Sequence, residues 1–213
     1  MTGIQSVILQ ASDPAAAEEF YATAFSLGDR LLVHAADAPT SGFRGFMLSL
    51  VVAQPNIVDT LIDAAAQGGA TTLKAAQKSF WGYGGVVRAP DGAIWKIASS
   101  AKKNSGPATR EIDDFVLLLG AADVKAAKEF YVARGLSVAK SFGSKYVEFG
   151  AAGSPVKLAL YSRRAAAKDA GVSADGTGSH RIVIAGGSEP FTDPDGFAWQ
   201  ATTRTAAGRA LSQ

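Results

Sequence analysis

The sequence predicts an α+β protein made of two related domains with mixed β-sheets. An apolar, strand-like run leads into an Asp-initiated helix at Asp13–Gly28, and the same order returns at Asp123–Leu136. In both copies Phe-Tyr begins seven residues after the Asp. Each half also closes on a Pro-Asp-Gly turn and an aromatic strand, in Ala89–Ser99 and Asp193–Thr203. A unit of about a hundred residues is therefore duplicated, whereas solenoid repeats have periods of ~20–50 residues.

Local signals predict the elements of the first half. Ile4–Ala11 is an apolar strand, and an Asp N-cap followed by Pro14 at the first helical position predicts a helix. Ala16, Phe20 and Ala24 recur at helical spacing and predict the buried face of that helix. The remaining predictions are strands at Leu31–Val33, Phe46–Ala53, Thr71–Leu73, Gly85–Arg88 and Ile94–Ala98, and a helix around Val58–Ala65 that ends at Gly68-Gly69.

The second half repeats this order after a polar linker that carries Gly and Pro. We expect one domain at 1–100, the linker at 101–110, a second domain at 111–205 and a frayed tail at 206–213. The second helix of the first half has no counterpart, so the second domain is predicted to lack one helix. Its predicted elements are strands at Ile112–Leu119, Ser137–Ser141, Lys145–Phe149, Val156–Tyr161 and His180–Ala185, helices at Val124–Ala133 and Arg164–Ala170, and a loop at Asp175–Ser179.

The composition of the sequence argues against several classes of function. The hydrophobic content of 47% and the charged content of 19% are ordinary for a globular protein. No apolar run approaches the ~18 residues of a membrane helix, and the N-terminus lacks a basic leader, so we expect a cytoplasmic protein without membrane contact. The absence of cysteine excludes disulfides and thiolate chemistry. A net charge of +2 with scattered basic residues argues against nucleic-acid binding.

The motifs, in this order and twice, resemble the vicinal oxygen chelate superfamily of glyoxalase I, bleomycin-resistance proteins and extradiol dioxygenases. The resemblance covers almost the whole chain and rests on the Asp-x6-Phe-Tyr helix and the Pro-Asp-Gly-x-x-Trp strand. It implies paired βαβββ modules whose sheets curl around a cleft. In metal-dependent members, His, Glu or Gln side chains on the first and last strands of a module hold a divalent ion, which acts as a Lewis acid.

The metal-ligand positions of the resembling family are altered in this chain. Matched position by position, the resemblance places Ser6, Lys96, Val116 and Gln200 there. Ser and Val are poor ligands, and Lys96 would put an ammonium ion where a cation should bind. We therefore expect no metal cofactor. If a divalent metal does bind, its fallback ligands are Asp114, Glu148, His180 and Gln200.

Alternation along the two closing strands predicts where their aromatic residues lie. Trp95 precedes Lys96 and Trp199 precedes Gln200, so the indole and the polar side chain face opposite sides of each strand. We expect both indoles in the core and both polar side chains in the cleft. Lys96 could there hold an anionic ligand, act as a base if burial lowers its pKa, or extend to solvent.

A cluster of aromatic residues suggests the rest of a binding pocket. Ser79–Tyr83 contains three aromatic side chains, and in the resembling family this stretch lies near the mouth of the cleft. We expect Trp81 and Tyr83 to line an apolar pocket together with Lys96 and Gln200. The alternative is that the aromatic side chains only pack on the sheet.

The predicted function is metal-independent binding of a small molecule, either drug-like or an aromatic metabolite, as the resemblance to bleomycin-resistance proteins implies. The first alternative is a glyoxalase-class lyase or isomerase that uses a divalent metal. The second is a scaffold that acts through protein contacts, because a sheet face left uncovered by the missing helix would favour dimerisation. The sequence leaves monomer and homodimer open.

Overall fold

The computed structural model describes residues 3–150 and 153–202. It confirms the predicted α+β class with large mixed sheets. The predicted tail 206–213 and the end of the predicted second domain, 203–205, lie outside the described residues. The helices and strands fall into four successive modules, two of them complete βαβββ units and two of them reduced.

The first module is reduced. It contains β1 (Ile4–Ala11), α1 (Pro14–Ala24), β2 (Leu31–Ala35) and β3 (Thr40–Gly42), with a 3₁₀ turn at Gly28–Arg30. The first strand and the helix begin where the sequence predicts, because local signals set both ends.

The start of α1 confirms the predicted cap, and its buried face contains the predicted Phe20 and Ala24 but not Ala16. The side chain of Asp13 accepts a hydrogen bond from the backbone N–H of Ala16, 3.0 Å away. Ala16 itself is exposed, and the buried stripe consists of Ala17, Phe20, Tyr21 and Ala24. The prediction of Ala16 was wrong because three alanines follow one another in this turn, so the sequence does not show which of them faces the core.

The second and third modules are complete. The second comprises β4 (Phe46–Val51), α2 (Pro55–Gln67), β5 (Thr71–Ser79), β6 (Gly82–Arg88) and β7 (Ile94–Ser99). The third comprises β8 (Asp114–Ala121), α3 (Val124–Ala133), β9 (Ser137–Phe142), β10 (Tyr146–Gly150) and β11 (Lys157–Ser162). The sequence predicted all of these elements, and the largest difference is β5, which continues well beyond Leu73.

The fourth module is again reduced. It comprises α4 (Arg163–Ala170), β12 (Gly176–Gly178), β13 (Ile182–Gly186), β14 (Phe191–Thr192) and β15 (Ala198–Gln200). The structure describes every residue between β13 and β15 and has no helix there, so the second half lacks the counterpart of α2, as predicted. β12 lies in a segment predicted as a loop. Its Gly-Thr-Gly sequence has no strand signal, and it is extended because it pairs with β3.

Both large sheets combine strands from the two halves of the chain. The eight-stranded sheet has the order β5-β6-β7-β4-β8-β11-β10-β9, and the five-stranded sheet has the order β14-β15-β13-β1-β2. In the first, β4 and β8 pair antiparallel along their length, from Phe46 with Leu119 to Val51 with Asp114. In the second, β1 pairs antiparallel with β13. The second and third modules thus share one sheet, and the first and fourth share the other.

The main core lies on the helix-covered side of the sheets. Trp95 is fully buried and Trp199 is 2% exposed, which confirms their predicted place in the core. Each indole lies beside the tyrosine of the duplicated Phe-Tyr pair, with centroids 5.4 Å apart for Tyr21 and Trp95 and 5.5 Å apart for Tyr131 and Trp199. These aromatic contacts join the helix of one module to the closing strand of another.

A tyrosine–aspartate hydrogen bond also joins the two duplicated motifs in each half. The Tyr21 hydroxyl donates to Asp91 Oδ1 at 2.7 Å, and the Tyr131 hydroxyl donates to Asp193 Oδ2 at 2.5 Å. Burial is the main cause that raises the pKa of both tyrosines and of Asp193. The acceptors are not equivalent positions, because Asp91 is the Asp of its Pro-Asp-Gly turn, whereas Asp193 directly precedes Pro194 of the second turn.

The linker between the halves is irregular but firmly held. The amide oxygen of Gln54, a residue only 5% exposed, accepts hydrogen bonds from Ser105 and from the N–H of Gly106. Its amide nitrogen donates to the carbonyls of Gly106 and Pro107. Arg110 Nη2 donates to two carbonyls at the end of α1. Side-chain contacts thus replace the backbone pairing that the segment 100–110 lacks.

We expect Tyr131→Phe to lower the free energy of unfolding by about 1–3 kcal/mol, because it leaves a buried carboxylate oxygen without its donor. Urea denaturation measures the change. The matched control is Tyr83→Phe, which removes a hydroxyl that donates to Asp59 on the partly exposed surface, and we expect it to cost less than ~1 kcal/mol. Equal losses for the two variants would contradict a special contribution from the buried pair.

Candidate functional site

The two faces of the eight-stranded sheet differ in character. One face packs against α2 and α3, and we call the other the cleft face. Strand alternation places on the cleft face Met47 and Ser49 of β4, Lys96 of β7, Val116 of β8 and Glu148 of β10. Ser49 lies beside both Lys96 and Val116 in the strand register. The predicted cleft position of Lys96 is therefore where the two halves of the chain meet.

Helix α4 lies across the cleft face. Its Ala166, Ala167 and Ala170 are each at most 1% exposed and pack in one cluster with Met47 and Leu118 from the centre of the sheet. The side chain of Ser162 caps the helix at its start, and a left-handed glycine, Gly171, follows its end. Alanines on the buried side let the helix approach the sheet closely, so it occupies space that would otherwise be open.

Two lysines hold the C-terminal end of α4. Lys96 Nζ lies 2.7 and 3.0 Å from the two carboxylate oxygens of Asp169. Lys74 Nζ donates to the carbonyls of Lys168 and Asp169 at 2.7 and 2.6 Å. A cation near the last carbonyls of a helix is favourable because these groups lack backbone partners and carry the negative end of the helix dipole. Lys96 thus binds a carboxylate of its own chain.

The carboxylates of the cleft face also have partners. The Tyr146 hydroxyl donates to Glu148 Oε2 at 2.7 Å. Burial, and then this hydrogen bond, raise the pKa of Tyr146. Lys157 Nζ lies 2.7 Å from Asp114 Oδ2. Both carboxylates are therefore in contact with side chains of this chain.

The structure places the two predicted aromatic residues away from the cleft face. Trp81 lies at the tip of the β5–β6 hairpin and is 83% exposed. Tyr83 lies on the helix-covered side, where its hydroxyl donates to Asp59 of α2 at 2.7 Å, and this hydrogen bond is the main cause that raises its pKa. Neither side chain is brought together with Lys96.

Gln200 and His180 are likewise separate from Lys96. Gln200 is exposed on β15 of the five-stranded sheet. His180 Nδ1 lies 2.5 Å from the carbonyl oxygen of Arg44, its Nε2 lies 3.1 Å from that of Asp195, and its ring stacks on Phe197. His180 thereby links three segments of the chain.

A cavity of about 180 Å³ lies at one end of the cleft face. It is bounded by the segment before β4, the end of β6, the start of β7 and the segment after α4. Its apolar side chains are Phe43, Phe46, Ile94 and Val172, and its polar ones are Arg44, Arg88, Ser173 and Asp175. The site therefore combines an apolar wall with two guanidinium groups.

Solved structures share the fold of this chain, although no family profile and no curated protein matches the sequence. Glyoxalase I from Zea mays matches with a TM-score of 0.59 at 12% identity, over 93% of this chain and 91% of its own. A proposed dioxygenase from Bacillus subtilis matches with a TM-score of 0.56 at 13% identity, over 91% of this chain and 72% of its own. The chain has the vicinal oxygen chelate fold. At such identities the likeness establishes the fold alone.

The donor set of this vicinal oxygen chelate fold does not fit a divalent metal. Ser6 and Gln200 lie on the five-stranded sheet, whereas Lys96 and Val116 lie on the eight-stranded sheet. The ammonium group of Lys96 is held at the cleft face by Asp169, and it would repel a cation. In residues 3–150 and 153–202, no three His, Asp or Glu side chains lie close enough together to bind a metal ion. The fallback set Asp114, Glu148, His180 and Gln200 is accordingly dispersed.

Sequence reasoning missed α4 as an occupant of the cleft face and missed the cavity residue Arg44. One signal for Arg44 was available, because it is a single cation inside the otherwise apolar and glycine-containing run Gly42–Phe46. A charge in such a run is costly to bury unless it has a partner or a purpose.

We expect a double-mutant cycle on Lys96→Met and Asp169→Asn to give a coupling energy of about 0.5–1 kcal/mol, since the pair is about one-third exposed. Urea denaturation of the four proteins measures it. The Lys157–Asp114 pair lies on the same face at higher exposure, 43% and 35%, and the same cycle there should give a smaller value. A coupling near zero for Lys96 and Asp169 would show that the ion pair does not hold α4.

Proposed function

We propose that this chain binds a small molecule without a metal ion, in the cavity at the end of the cleft face. The supporting observation is the ion pair between Lys96 and Asp169. Lys96 stands where metal-dependent proteins of the resembling superfamily carry a ligand, and its charge is used to bind a helix of the same chain. The chain thus keeps the fold, but an ion pair within the protein takes the place of a metal ligand at this position.

The cavity has the features of a binding site. Small-molecule sites are concave and mostly apolar, with a few polar groups that fix orientation. This cavity has phenylalanine and aliphatic walls with Arg44 and Arg88 at its polar side. A cavity of ~150 Å³ is large enough for a benzene-sized molecule. The volume of about 180 Å³ therefore suits a small compound or one ring of a larger one.

The proposed cavity is not lined by the residues that the sequence predicted for the binding pocket. Trp81 lies at a hairpin tip, Tyr83 lies beneath α2, and Gln200 lies on the five-stranded sheet. Their contact with a ligand stays a prediction. The cytoplasmic location also stays part of the proposal, and in the described residues no helix is long and apolar enough to cross a bilayer.

Elemental analysis of freshly purified, untagged protein tests the metal-independent part. We expect less than about one-tenth of an equivalent of Zn, Ni, Mn or Fe, and no rise in melting temperature on adding these ions, because binding to the native state alone would stabilise it. A near-stoichiometric metal that survives dialysis would contradict the proposal and favour the glyoxalase-class lyase.

Saturation-transfer NMR with a panel of small aromatic and aliphatic compounds tests the binding part. We expect binders whose signals disappear in Ser173→Trp, because an indole at this cavity-lining position fills the space. Ser144→Trp is the matched control, since Ser144 is an exposed residue of the β9–β10 turn. Binding that persists in Ser173→Trp would place the site elsewhere.

A further inference from the structure

The tip of the β5–β6 hairpin exposes two aromatic side chains to solvent. Phe80 is 82% exposed and Trp81 is 83% exposed, the highest values among the large hydrophobic side chains of the described residues. Their rings meet edge to face, with centroids 5.0 Å apart. Trp95 and Trp199, in contrast, are buried in the core. Adjacent aromatic side chains that contribute so little to the core indicate a contact with something outside the chain.

The hairpin turn itself does not require these two residues. Ser79 pairs with Gly82, so Phe80 and Trp81 form a two-residue loop. Glycine, asparagine and aspartate are the residues preferred in such loops, for reasons of backbone geometry that aromatic side chains do not serve. The loop is also held in place. The Ser79 hydroxyl accepts from the Trp81 N–H at 3.2 Å, and Gly82 packs so closely on Ser99 that a Cβ would collide with its carbonyl oxygen. The aromatic pair therefore has a fixed position at the end of the hairpin.

Positive charge surrounds the tip. Lys102 Nζ lies 5.7 Å from the centroid of the Phe80 ring, and Lys78 and Lys103, close to the tip in sequence, are both exposed. None of these three lysines forms an ion pair with a described residue. The stretch from residue 64 to residue 110 contains seven Lys and Arg residues and one acidic residue, whereas the whole chain has a net charge of only +2. The exposed aromatic pair thus belongs to a strongly basic part of the chain.

The carboxylates nearby lie to one side of the tip, on α2. Asp59 accepts from the hydroxyl of Tyr83, and Asp63 is near enough to raise the pKa of that tyrosine slightly further. Tyr83 pairs with Lys78, one step along the hairpin from the loop, and it points to the helix-covered side. These carboxylates therefore leave the charge around the aromatic pair positive.

An anionic lipid surface fits this combination better than a protein or a nucleic acid. Two residues on a convex turn offer far less than the ~800 Å² per partner of a stable protein interface. Single-stranded nucleic acid needs a basic groove with ring faces open for stacking, whereas here one ring lies edge-on against the other. Tryptophan and phenylalanine enter the headgroup region of a bilayer, and lysines beside them attract anionic headgroups.

We propose that the β5–β6 hairpin tip attaches this chain reversibly to anionic phospholipid membranes. Phe80 and Trp81 enter the headgroup region, and Lys78, Lys102 and Lys103 contact the lipid phosphates. Binding is reversible because two aromatic side chains and a few charges form a surface anchor, far weaker than a spanning helix. Composition led us to expect no membrane contact, but it argues only against a spanning helix and not against such an anchor.

This inference is independent of the proposed small-molecule site. The strand β6 begins beside the tip at Gly82 and ends at Arg88, which lines the cavity. A strand of this length separates its ends by roughly 20 Å. A hairpin tip in contact with a membrane therefore does not cover the cavity.

Tryptophan fluorescence during a titration with lipid vesicles tests the proposal, because Trp81 is the exposed one of the three tryptophans. The full chain is titrated with vesicles of phosphatidylcholine alone or with about one-third phosphatidylserine. We expect a blue shift of the emission and co-sedimentation with the anionic vesicles. Partitioning into phosphatidylcholine alone should be at least about tenfold weaker, since each lysine near an anionic surface contributes roughly a fivefold factor.

Variants at the tip separate the two contributions. Phe80→Ser combined with Trp81→Ser should lower the partition coefficient at least about tenfold, because the apolar contact is lost. Lys102→Gln combined with Lys103→Gln should also lower it about tenfold, and this difference should vanish at about 1 M salt, where charges are screened. All four residues are exposed, so the melting temperatures should not change.

Two controls complete the test. Trp81→Phe should bind almost as well as the natural sequence but show no emission shift, because the remaining tryptophans are buried. Phe142→Ser removes another exposed aromatic side chain, 62% exposed, from the strand β9 at the opposite edge of the sheet. It should leave partitioning unchanged.

Several results would overturn the inference. One is the absence of co-sedimentation at millimolar anionic lipid, and another is full binding by the variant that lacks both aromatic side chains. Self-association without lipid that this variant abolishes would assign the tip to a second copy of the chain. An emission change with a single-stranded oligonucleotide but not with vesicles would assign it to nucleic acid. The small-molecule cavity is unaffected by any of these outcomes, since Ser173→Trp tests it separately.

Discussion

The antiparallel pairing of β4 with β8 is the contact on which the rest of the structure depends. Six consecutive residues of each strand are in register, one strand from each half of the chain. Through parallel pairing, β4 fixes β7 and β8 fixes β11, so this seam aligns all eight strands. It also decides that Lys96, Ser49 and Val116 lie in one row across the cleft face. The position of α4 and the cavity at its end follow from that row.

Much of the fold could be predicted because its signals are local. The Asp cap and Pro14 set the start of α1, and alternation correctly put Trp95 and Lys96 on opposite faces of β7. In each half the tyrosine of the Phe-Tyr pair packs beside the tryptophan that follows the Pro-Asp-Gly turn, so the two duplicated motifs serve one structural contact. Such features depend on the nearest neighbours in sequence, or on a motif that occurs twice.

The candidate site could not be predicted because distant contacts create it. Nothing within Arg163–Ala170 shows that the helix lies on a sheet, and its alanines resemble those of any short helix. The partner of Lys96 is on that helix, in the other half of the chain. Tyr83 was expected in a pocket because the predicted strand began only at Gly85. The strand β6 begins at Gly82, and its regular alternation puts Tyr83 on the face opposite Lys96. The cavity needs four segments from both halves to exist.

The pairing of β1 with β13 has a consequence for how the chain folds. Val7 is matched with Ile184, so β1 cannot complete this pairing until β13, much later in the chain, has been synthesised. The second module can assemble its four strands early, yet its inner strand β4 keeps an unpaired apolar edge until β8 follows. Sheets that join distant segments close slowly, and open strand edges promote association with other chains. A nascent chain that extends only to the linker would thus expose the open strand edges of two incomplete sheets.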